Sequence, residues 1–345
     1  MRENHEILRA APLLNAAGDL NEPGWASSPL PVYRRADVRA GKLHIKEWDY
    51  YLVTDGHIGL ALTISDNGYM GLDSVSFLDF DGKWERTKSP MRLLPLGKTG
   101  LPESSAEGVS EIARGGYALA FYHDDDGTRK LTFHMDKFRG KDAIEGMIAL
   151  SDEPAESMVI ATPFEKSGHF YYNQKINCMR AAGWIELGGA RVELDPKTWF
   201  AVLDWGRGVW TYHNTWYWGS ASGELDGVPF GWNIGYGFGD TSAASENVLF
   251  YGGKIHKLSQ VRFEIPMQDG KEDYLAPWRF SSDDGRFEMA FAPILNRAAC
   301  TSVGVIKSDQ NQVFGHFTGQ VTLDDGTVLP VRDFFGFAEK VENKW

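Results

Sequence analysis

A carboxylate and a guanidinium lie three residues apart in the segment Leu203-Asp204-Trp205-Gly206-Arg207-Gly208. If neighbouring indoles favour its neutral form, Asp204 is suited to general acid catalysis, and the planar fork of Arg207 is suited to holding a carboxylate or enolate oxygen. The alternative is an Asp204–Arg207 ion pair that joins two domains. We favour this ion pair, because most such pairs are architectural.

Glu246, in the pair Glu246-Asn247, is a second candidate carboxylate. Together with Asp204 it would suit cleavage of a glycosidic bond if the two carboxyl groups lie about 5 to 10 Å apart. No HExxH, GxSxG, Walker or dinucleotide motif occurs in a usable context. We therefore expect no metal and no cofactor, and Asp204, Arg207 and Glu246 are the candidate catalytic residues.

Six of the twelve tryptophans lie between residues 199 and 232. If residues 210–218 form a strand, alternation places five side chains on one face: Trp210, Tyr212, Asn214, Trp216 and Trp218. The segment 230–239 then alternates bulky residues with glycines, which suggests the close approach of another group. Such a wall suits an amphipathic small-molecule pocket, although a packed barrel core would use the same residues. The candidate ligand-binding residues are Trp205, Trp210, Tyr212, Asn214, Trp216, Trp218, Trp232, Asn233 and Asn247.

The elements that must position these residues are predicted to be β-hairpins. Runs of alternating apolar residues are separated by eight two-residue turns that tolerate positive φ: Asn67-Gly68, Asp81-Gly82, Asp126-Gly127, Gly188-Gly189, Asp226-Gly227, Gly252-Gly253, Asp284-Gly285 and Asp325-Gly326. Helical periodicity is scarce, which excludes TIM barrels and doubly wound sheets. The sequence therefore predicts an all-β fold whose edges are hidden by closure into barrels or by packing into sandwiches.

A chain of 345 residues fits two β domains better than one. Residues 1–45 contain Pro23, Pro29 and Pro31 and are predicted to form an extended arm over the first domain. Near Asp195-Pro196 a proline bars a continuing ladder and the composition shifts towards tryptophan. We accordingly expect a first domain at residues 46–195 and a second at 196–345.

Composition excludes several classes of protein. Lys and Arg total 35 against 47 Asp and Glu, and this net charge of -12 would repel a nucleic-acid backbone. No apolar run is long enough to span a membrane, and acids replace the bases of a secretory signal near residue 1, so we expect a cytoplasmic, not membrane-spanning protein. Cys178 and Cys300 suggest no disulfide scaffold, although a single bridge stays open. The oligomeric state stays open too.

Several motifs occur in the order of a known family: Lys46-Glu47-Trp48-Asp49-Tyr50-Tyr51, the block from Asp204 to Trp210 with Trp216 and Trp218, Glu246-Asn247, Pro277-Trp278, and Val313-Phe314-Gly315-His316-Phe317-Thr318-Gly319. From about residue 10 to the end, the chain resembles the family catalogued as domain of unknown function 2804. That family looks distantly similar to the two-domain lipocalin-like proteins that include carotenoid 1,2-hydratase, tocopherol cyclase and the fungal lipocalin-like cyclases.

The resemblance implies two antiparallel, calycin-like β-barrels and a hydrophobic substrate. The hydratase group carries a Met-Asp-His element where this chain has Leu203-Asp204-Trp205, so only the aspartate matches. We expect a bound isoprenoid, polyketide or lipid-like molecule. Protonation of an alkene by Asp204, with the cation held over indole faces, would give cofactor-free hydration, cyclisation or isomerisation. A non-catalytic lipid carrier and a carbohydrate-active enzyme that uses Asp204 and Glu246 are the alternatives.

Overall fold

The computed structural model describes residues 4–124, 127–303 and 306–344. Apart from one 3-10 turn at Arg35–Asp37, the regular structure of this part of the chain is β-strand, and its large sheets are antiparallel throughout. The prediction of an all-β antiparallel fold is confirmed. Within these ranges, no helix has the length and apolar character needed to cross a membrane.

Three short strands lie in the N-terminal arm: β1 (Ala11–Pro12), β2 (Gly24–Ala26) and β3 (Pro31–Val32). The first large sheet contains β2 of the arm and thirteen strands that follow the arm: β4 (Ile45–Thr54), β5 (Ile58–Asp66), β6 (Met70–Asp79), β7 (Trp84–Lys88), β8 (Met91–Leu93), β9 (Val109–Arg114), β10 (Tyr117–His123), β11 (Arg129–Arg139), β12 (Asp142–Ser151), β13 (Met158–Pro163), β14 (Phe170–Leu187), β15 (Ala190–Leu194) and β16 (Phe200–Val209). The remaining strands are β17 (His213–Leu225), β18 (Val228–Tyr236), β19 (Val248–Tyr251), β20 (Lys254–Lys257), β21 (Val261–Glu264), β22 (Met267–Gln268), β23 (Lys271–Glu272), β24 (Trp278–Ser282), β25 (Phe287–Val303), β26 (Ile306–Thr322) and β27 (Val328–Lys344).

The first sheet has the main order β7-β6-β5-β4-β16-β14-β12-β11-β10-β9. It curls until its edge strand β7 meets β11, where Arg86 Nε donates to the Phe138 carbonyl oxygen at 3.1 Å and Lys88 Nζ to that of Asp136 at 2.8 Å. The alternating apolar residues of these strands fill the enclosed space with one aliphatic and aromatic core.

The second sheet has the order β20-β19-β18-β17-β27-β26-β25-β24-β21. It also curls, so that the Tyr236 hydroxyl of β18 accepts the Phe263 N–H of β21 at 3.4 Å. Its core is strongly aromatic, with Trp232 and Trp278 fully buried among phenylalanines. Each large sheet therefore encloses its own hydrophobic core.

Most of the predicted turns are confirmed. Seven of them connect consecutive strands, and the eighth, Asp126-Gly127, includes a position outside the described residues. Both residues have positive φ in three of the turns, for example 52° at Asp226 and 79° at Gly227. Turn chemistry alone therefore identifies these hairpins.

The chain passes from the first sheet to the second between Val209 and His213. The boundary expected at residues 195 and 196 falls one strand too early, because β16 pairs with β4 and β14 of the first sheet. Pro196 follows a short hairpin strand and does not mark the change of sheet. The arm extends further than expected as well: β2 pairs with β13, whereas His5 N–H donates to the Ala243 carbonyl oxygen beside the second sheet at 2.8 Å.

Candidate functional site

The two sheets face each other across two rows of side chains on neighbouring strands. The row of the first sheet consists of Lys175, Asp204 and Tyr50, which are register neighbours on β14, β16 and β4. The row of the second sheet consists of Trp218, Glu339 and Gln312, which are register neighbours on β17, β27 and β26. We call these six residues, with Trp48, Asn173, Trp216, Asn233 and Glu246, the inter-sheet site.

Asp204 is buried, and both of its carboxylate oxygens are occupied. Oδ1 accepts from Lys175 Nζ at 2.7 Å and from Asn173 Nδ2 at 2.6 Å, and Oδ2 accepts from Trp48 Nε1 at 3.1 Å. Lys175 is itself buried. Three donors, one of them a cation, therefore hold this carboxylate in place.

Lys175 also joins the two rows. Its Nζ lies 3.9 Å from the ring centroid of Trp218, which is a cation–π distance. The Tyr50 ring meets the same indole edge-on at 6.0 Å between centroids, and Gln312 Nε2 donates to the Tyr50 hydroxyl at 3.4 Å. Polar and aromatic contacts of the site therefore cross the boundary between the sheets.

Glu339 is the second acidic group of the site. Its Oε1 accepts from Trp216 Nε1 at 2.9 Å and its Oε2 from Gln312 Nε2 at 3.2 Å. Burial raises the pKa of Glu339 to about 7 and the Asp204 charge adds to this, against the Trp216 hydrogen bond and the positive charges of Arg297 and Lys175. Glu339 therefore titrates near neutral pH.

Glu246 is the third. Asn233 links Glu246 to the indoles. The Oδ1 of Asn233 accepts from Trp218 Nε1 at 2.7 Å, and its Nδ2 donates to Glu246 Oε2 at 3.3 Å. Burial raises the pKa of Glu246, while the Lys175 charge and the Asn233 hydrogen bond lower it and the Asp204 charge raises it. All three carboxyl groups thus interact with the charge of Lys175.

The tryptophans between residues 199 and 232 do not line one volume. Trp205 lies in the first core, edge-on to Tyr172 at 5.6 Å, and Trp232 lies in the second core among phenylalanines. Residue 210 precedes β17, so the predicted strand over 210–218 begins only at His213. Tyr212 is 52% exposed, and Asn214 donates to the Thr211 carbonyl oxygen.

The tryptophans that do meet belong to the boundary between the sheets. Trp210 contacts Trp48 at 5.1 Å, Trp216 at 6.0 Å and Phe238 at 5.0 Å between ring centroids, in each case edge to face. Trp48 stacks on Tyr171 at 6.2 Å. These rings form a closed cluster beside the carboxyl groups.

Arg207 does not belong to this site. It points to the opposite face of β16 from Asp204, because residues three apart on a strand face opposite sides. In the first core, its guanidinium is fully buried, donates to Asp49 Oδ1 at 2.9 Å and lies 4.1 Å from the Trp205 ring. The Asp204–Arg207 ion pair is therefore wrong, and Lys175 and Asp49 are the respective partners.

The glycines of β18 leave room for named neighbours. A Cβ at Gly235 would lie 2.8 Å from Glu246 Oε1, and one at Gly231 would lie 3.0 Å from the Cys178 sulfur of β14. Asn247 accepts the Gly235 N–H at 2.6 Å and donates to the Ser259 carbonyl oxygen at 2.9 Å. Asn247 therefore holds β18 in place through its hydrogen bonds. The glycine face of β18 leaves space for Cys178 of the first sheet and for the Glu246 carboxylate.

A small cavity lies beside the two rows. It measures about 20 Å³, which is room for one water. Its lining residues Leu52, Val202, Ser220 and Phe337 each lie two residues along a strand from Tyr50, Asp204, Trp218 and Glu339. The site thus borders a small cavity between the sheets.

Lys175 and Glu339 carry no motif, and the sequence analysis missed both. One signal was available in β14, where Asn173, Lys175 and Asn177 alternate within a long strand that is otherwise mostly apolar at its buried end. Polar residues at every second position indicate a polar face. No comparable signal marks Glu339, which the pairing of β17 with β27 brings to Trp218.

Two curled antiparallel sheets that enclose separate cores, with an acidic and aromatic site between them, define a two-part lipocalin-like β protein. The model of the family described as "Domain of unknown function (DUF2804)" matches residues 4–345, so the chain belongs to this family. The family resemblance noted in the sequence is confirmed.

Solved structures show the same fold. A protein described as an AttH from Nitrosomonas europaea aligns with a TM-score of 0.56 and 13% identity, over 91% of this chain and 98% of that one. CghA, whose structure was determined with Sch210972, aligns with a TM-score of 0.52 and 12% identity, over 98% of this chain and 97% of that one. No curated protein is significantly similar to the chain in sequence.

Proposed function

We propose that the inter-sheet site binds a hydrophobic or amphipathic small molecule, such as an isoprenoid, polyketide or lipid-like compound, and catalyses its hydration, cyclisation or isomerisation without a cofactor. The observation that carries the proposal is the group of three carboxyl groups around Lys175, set among indoles. CghA supports the binding part, because its structure holds Sch210972 in the same fold.

Glu339 is the proton donor of this proposal. Its pKa of about 7 leaves a substantial fraction of the carboxyl groups protonated at neutral pH, which suits general acid catalysis. Transfer of its proton to one carbon of an alkene leaves a cation on the other, which the face of Trp216 stabilises, because Lys175 already lies over the Trp218 ring. Addition of water followed by loss of a proton to Glu339 completes a hydration, and transfer of a carbon-bound proton from the cation to the Glu339 carboxylate completes an isomerisation.

Asp204 takes a different role from the one expected. Its oxygens are already engaged by Lys175, Asn173 and Trp48, so in this proposal it fixes the position of the cation and of the Trp48 ring. Arg207 faces the first core and takes no part.

Access requires that the ring cluster open, since a volume of about 20 Å³ does not admit a substrate of this size. Phe238 closes the cluster, with its ring 4.9 Å from Tyr171 and 5.0 Å from Trp210. It lies between Gly237 and Gly239, which have φ values of 91° and 73°. We propose that this glycine-flanked residue moves aside to admit the ligand.

A non-catalytic carrier is the second candidate, because the occupied oxygens of Asp204 and the closed ring cluster also suit binding alone. The carbohydrate alternative gains no support from the rings, since Trp48 and Tyr171 present their faces to each other. A cytoplasmic location stays a prediction, which fractionation of cells that produce the chain tests.

Mass spectrometry of the purified protein for a co-purified compound, followed by incubation and product analysis, tests the proposal. We expect Glu339→Gln to retain the compound and to lose at least 100-fold in conversion, as is typical for removal of a general acid. Glu288 of β25, which is half-buried and lies outside the inter-sheet site, supplies the matched control Glu288→Gln, which should convert like the wild type. Equal conversion by the Glu339 variant would contradict the acid role, and binding without any conversion by the wild type would establish the carrier.

A further inference from the structure

A second and much larger cavity lies in the first sheet, away from the inter-sheet site. It is an open groove of about 740 Å³ between the segment 92–99 and the hairpin of β9 and β10. Its volume falls in the range of about 300–1,000 Å³ that is typical of small-molecule sites. Apolar side chains of its lining include Leu93, Leu94, Ile112, Ala113, Ala118 and Ala120. The groove shares no residue with the inter-sheet site.

Buried polar contacts hold one wall of the groove rigid. Arg92 donates to both carboxylate oxygens of Asp73, at 2.7 and 2.9 Å, and to Thr99 Oγ1 at 2.7 Å. The buried carboxylate of Asp66 accepts the Gly97 N–H and the Thr99 hydroxyl, each at 2.8 Å. The segment 92–99 is therefore anchored near both ends, and the groove is preformed.

The same wall holds apolar side chains in water. Met91 is 64% exposed, Leu93 85% and Leu94 56%. Leu94 and Leu96 have φ values of 51° and 56°, a conformation that residues with a side chain rarely adopt. Strained backbone that presents leucines to solvent, beside a preformed concavity, is typical of a binding site.

The charges along the groove favour an anion. Lys98 and Arg114 line it, and within the described residues neither forms an ion pair with a carboxylate. Glu111 is the acidic residue of the lining, and the charge of Arg92 is already matched by Asp73. Two unmatched cations against one carboxylate leave this groove positive in a protein of net charge -12.

We propose that this groove binds an amphipathic molecule with a single apolar chain and an anionic head group. The chain lies on the leucines and on the alanines of β9 and β10, and the head group lies near Lys98 and Arg114. A concave, anchored groove encloses such a molecule one at a time, whereas a membrane surface would need a convex or flat apolar face.

Titration with 11-(dansylamino)undecanoic acid, at concentrations at which it is monomeric, tests the proposal through dansyl fluorescence. We expect saturable binding at one site and 3- to 10-fold weaker binding by the double variant Lys98→Ala/Arg114→Ala, as two exposed ion pairs imply. The corresponding dansyl alcohol should bind the wild type and this variant equally. The variant Ala113→Trp, at an exposed position, fills the groove and should abolish binding of both probes.

Matched controls exclude nonspecific effects of charge and size. Lys254→Ala/Arg332→Ala removes two exposed cations from the second sheet, and Ala149→Trp enlarges an exposed alanine of the first sheet outside the groove. Both should bind the probe like the wild type. Three outcomes would overturn the proposal. They are undiminished binding of the probe by Ala113→Trp, losses of affinity in the controls equal to those in the groove variants, and binding of the protein to vesicles of anionic phospholipid without binding of the monomeric probe. A probe that bound at the inter-sheet site would be unaffected by Ala113→Trp, so failure of this proposal and failure of the proposed function are distinguishable.

Discussion

Lys175 is the single ammonium group shared by three carboxyl groups that the two sheets bring together. Its closest contact is Asp204 at 2.7 Å, and the Trp218 ring covers its other side at 3.9 Å. Arg297 also acts on Glu339 and Lys257 on Glu246, but burial outweighs these charges and favours the neutral form of both carboxyl groups. The pKa of Glu246 is therefore raised, and that of Glu339 is raised to about 7.

The raised pKa of Glu339 makes a prediction for stability. Burial raises its pKa from 4.5 to about 7 on folding, so between these pH values the folded state binds more protons than the unfolded state. Its contribution to the free energy of unfolding is therefore full below about pH 4.5 and is lost as the pH rises through 7.

We expect urea unfolding at pH 5 and pH 8 to show that Glu339→Gln gains about 1–3 kcal/mol relative to the wild type over this interval, because the amide cannot ionise. Asp204, Lys175 and Arg297 are the charged groups that oppose or assist this titration. The control Glu288→Gln should run parallel to the wild type. Parallel curves for the Glu339 variant as well would show that the carboxyl is ionised throughout.

Individual residues show what the sequence can reveal. Asp204 and Glu246 stand out by their neighbours in the chain, and both do lie in the inter-sheet site. Their ionic partners do not follow from neighbouring positions, because Lys175 comes from β14 and Glu339 from β27. Alternation within β16 alone would have separated Asp204 from Arg207.

At the scale of the element, β16 carries the acid on one face and the first core on the other. Leu203, Trp205 and Arg207 face that core, whereas Asp204 and Gly206 face the second sheet. Position 206 has no room for a side chain, because the Trp48 indole lies directly against the backbone of Gly206. The same contact allows the Trp48 N–H to reach Asp204.

Gly206 therefore makes a prediction for its strand. A methyl group in Gly206→Ala would overlap the Trp48 ring, so the ring must move and its hydrogen bond to Asp204 is lost. We expect a loss of about 1–3 kcal/mol in the free energy of unfolding and weaker binding at the inter-sheet site. The control is Gly115→Ala, where a Cβ has open space, and it should change stability by less than about 0.5 kcal/mol. A Gly206 variant as stable as this control would contradict the close contact.

Strands and turns were largely predictable, whereas the facing of the tryptophans was not. Asp226-Gly227 and similar pairs encode their turns locally. The face of a strand depends on where it begins, and the coil at residues 210–212 removes Tyr212 from the expected alternation. Pairing between distant strands then decides which core receives Trp205 and which receives Trp232.

At the scale of the whole molecule, a bulge in β14 joins the two sheets. The pairing of β14 with β16 shifts register between Ile176 and Met179, and Cys178 has a φ of 64°. Asn177 Nδ2 there donates to oxygens of the second sheet, which belong to Ser220 at 2.7 Å, Ala221 at 3.1 Å, Trp232 at 3.1 Å and Ser222 at 3.3 Å. One fully buried amide thus links the first sheet to two strands of the second.

Asn177→Ala tests this link. The loss of these hydrogen bonds leaves acceptors buried without a donor, so we expect a loss of about 2–4 kcal/mol in the free energy of unfolding. Because the substitution acts between the sheets, far-UV circular dichroism and tryptophan fluorescence should no longer give coincident urea transitions. Asn311→Ala, which removes contacts within the second sheet only, should lower stability while keeping the transitions coincident. Coincident transitions in the Asn177 variant would show that other contacts couple the sheets.

The free thiol of Cys178 lies buried against Gly231 at the same bulge, whereas the other free thiol, Cys300, is exposed. A thiol reagent added to the native protein therefore labels Cys300 at once and Cys178 only during those moments when the halves part. The rate of this slow phase therefore reports how often the two sheets separate at the bulge, and it can be measured without an engineered label.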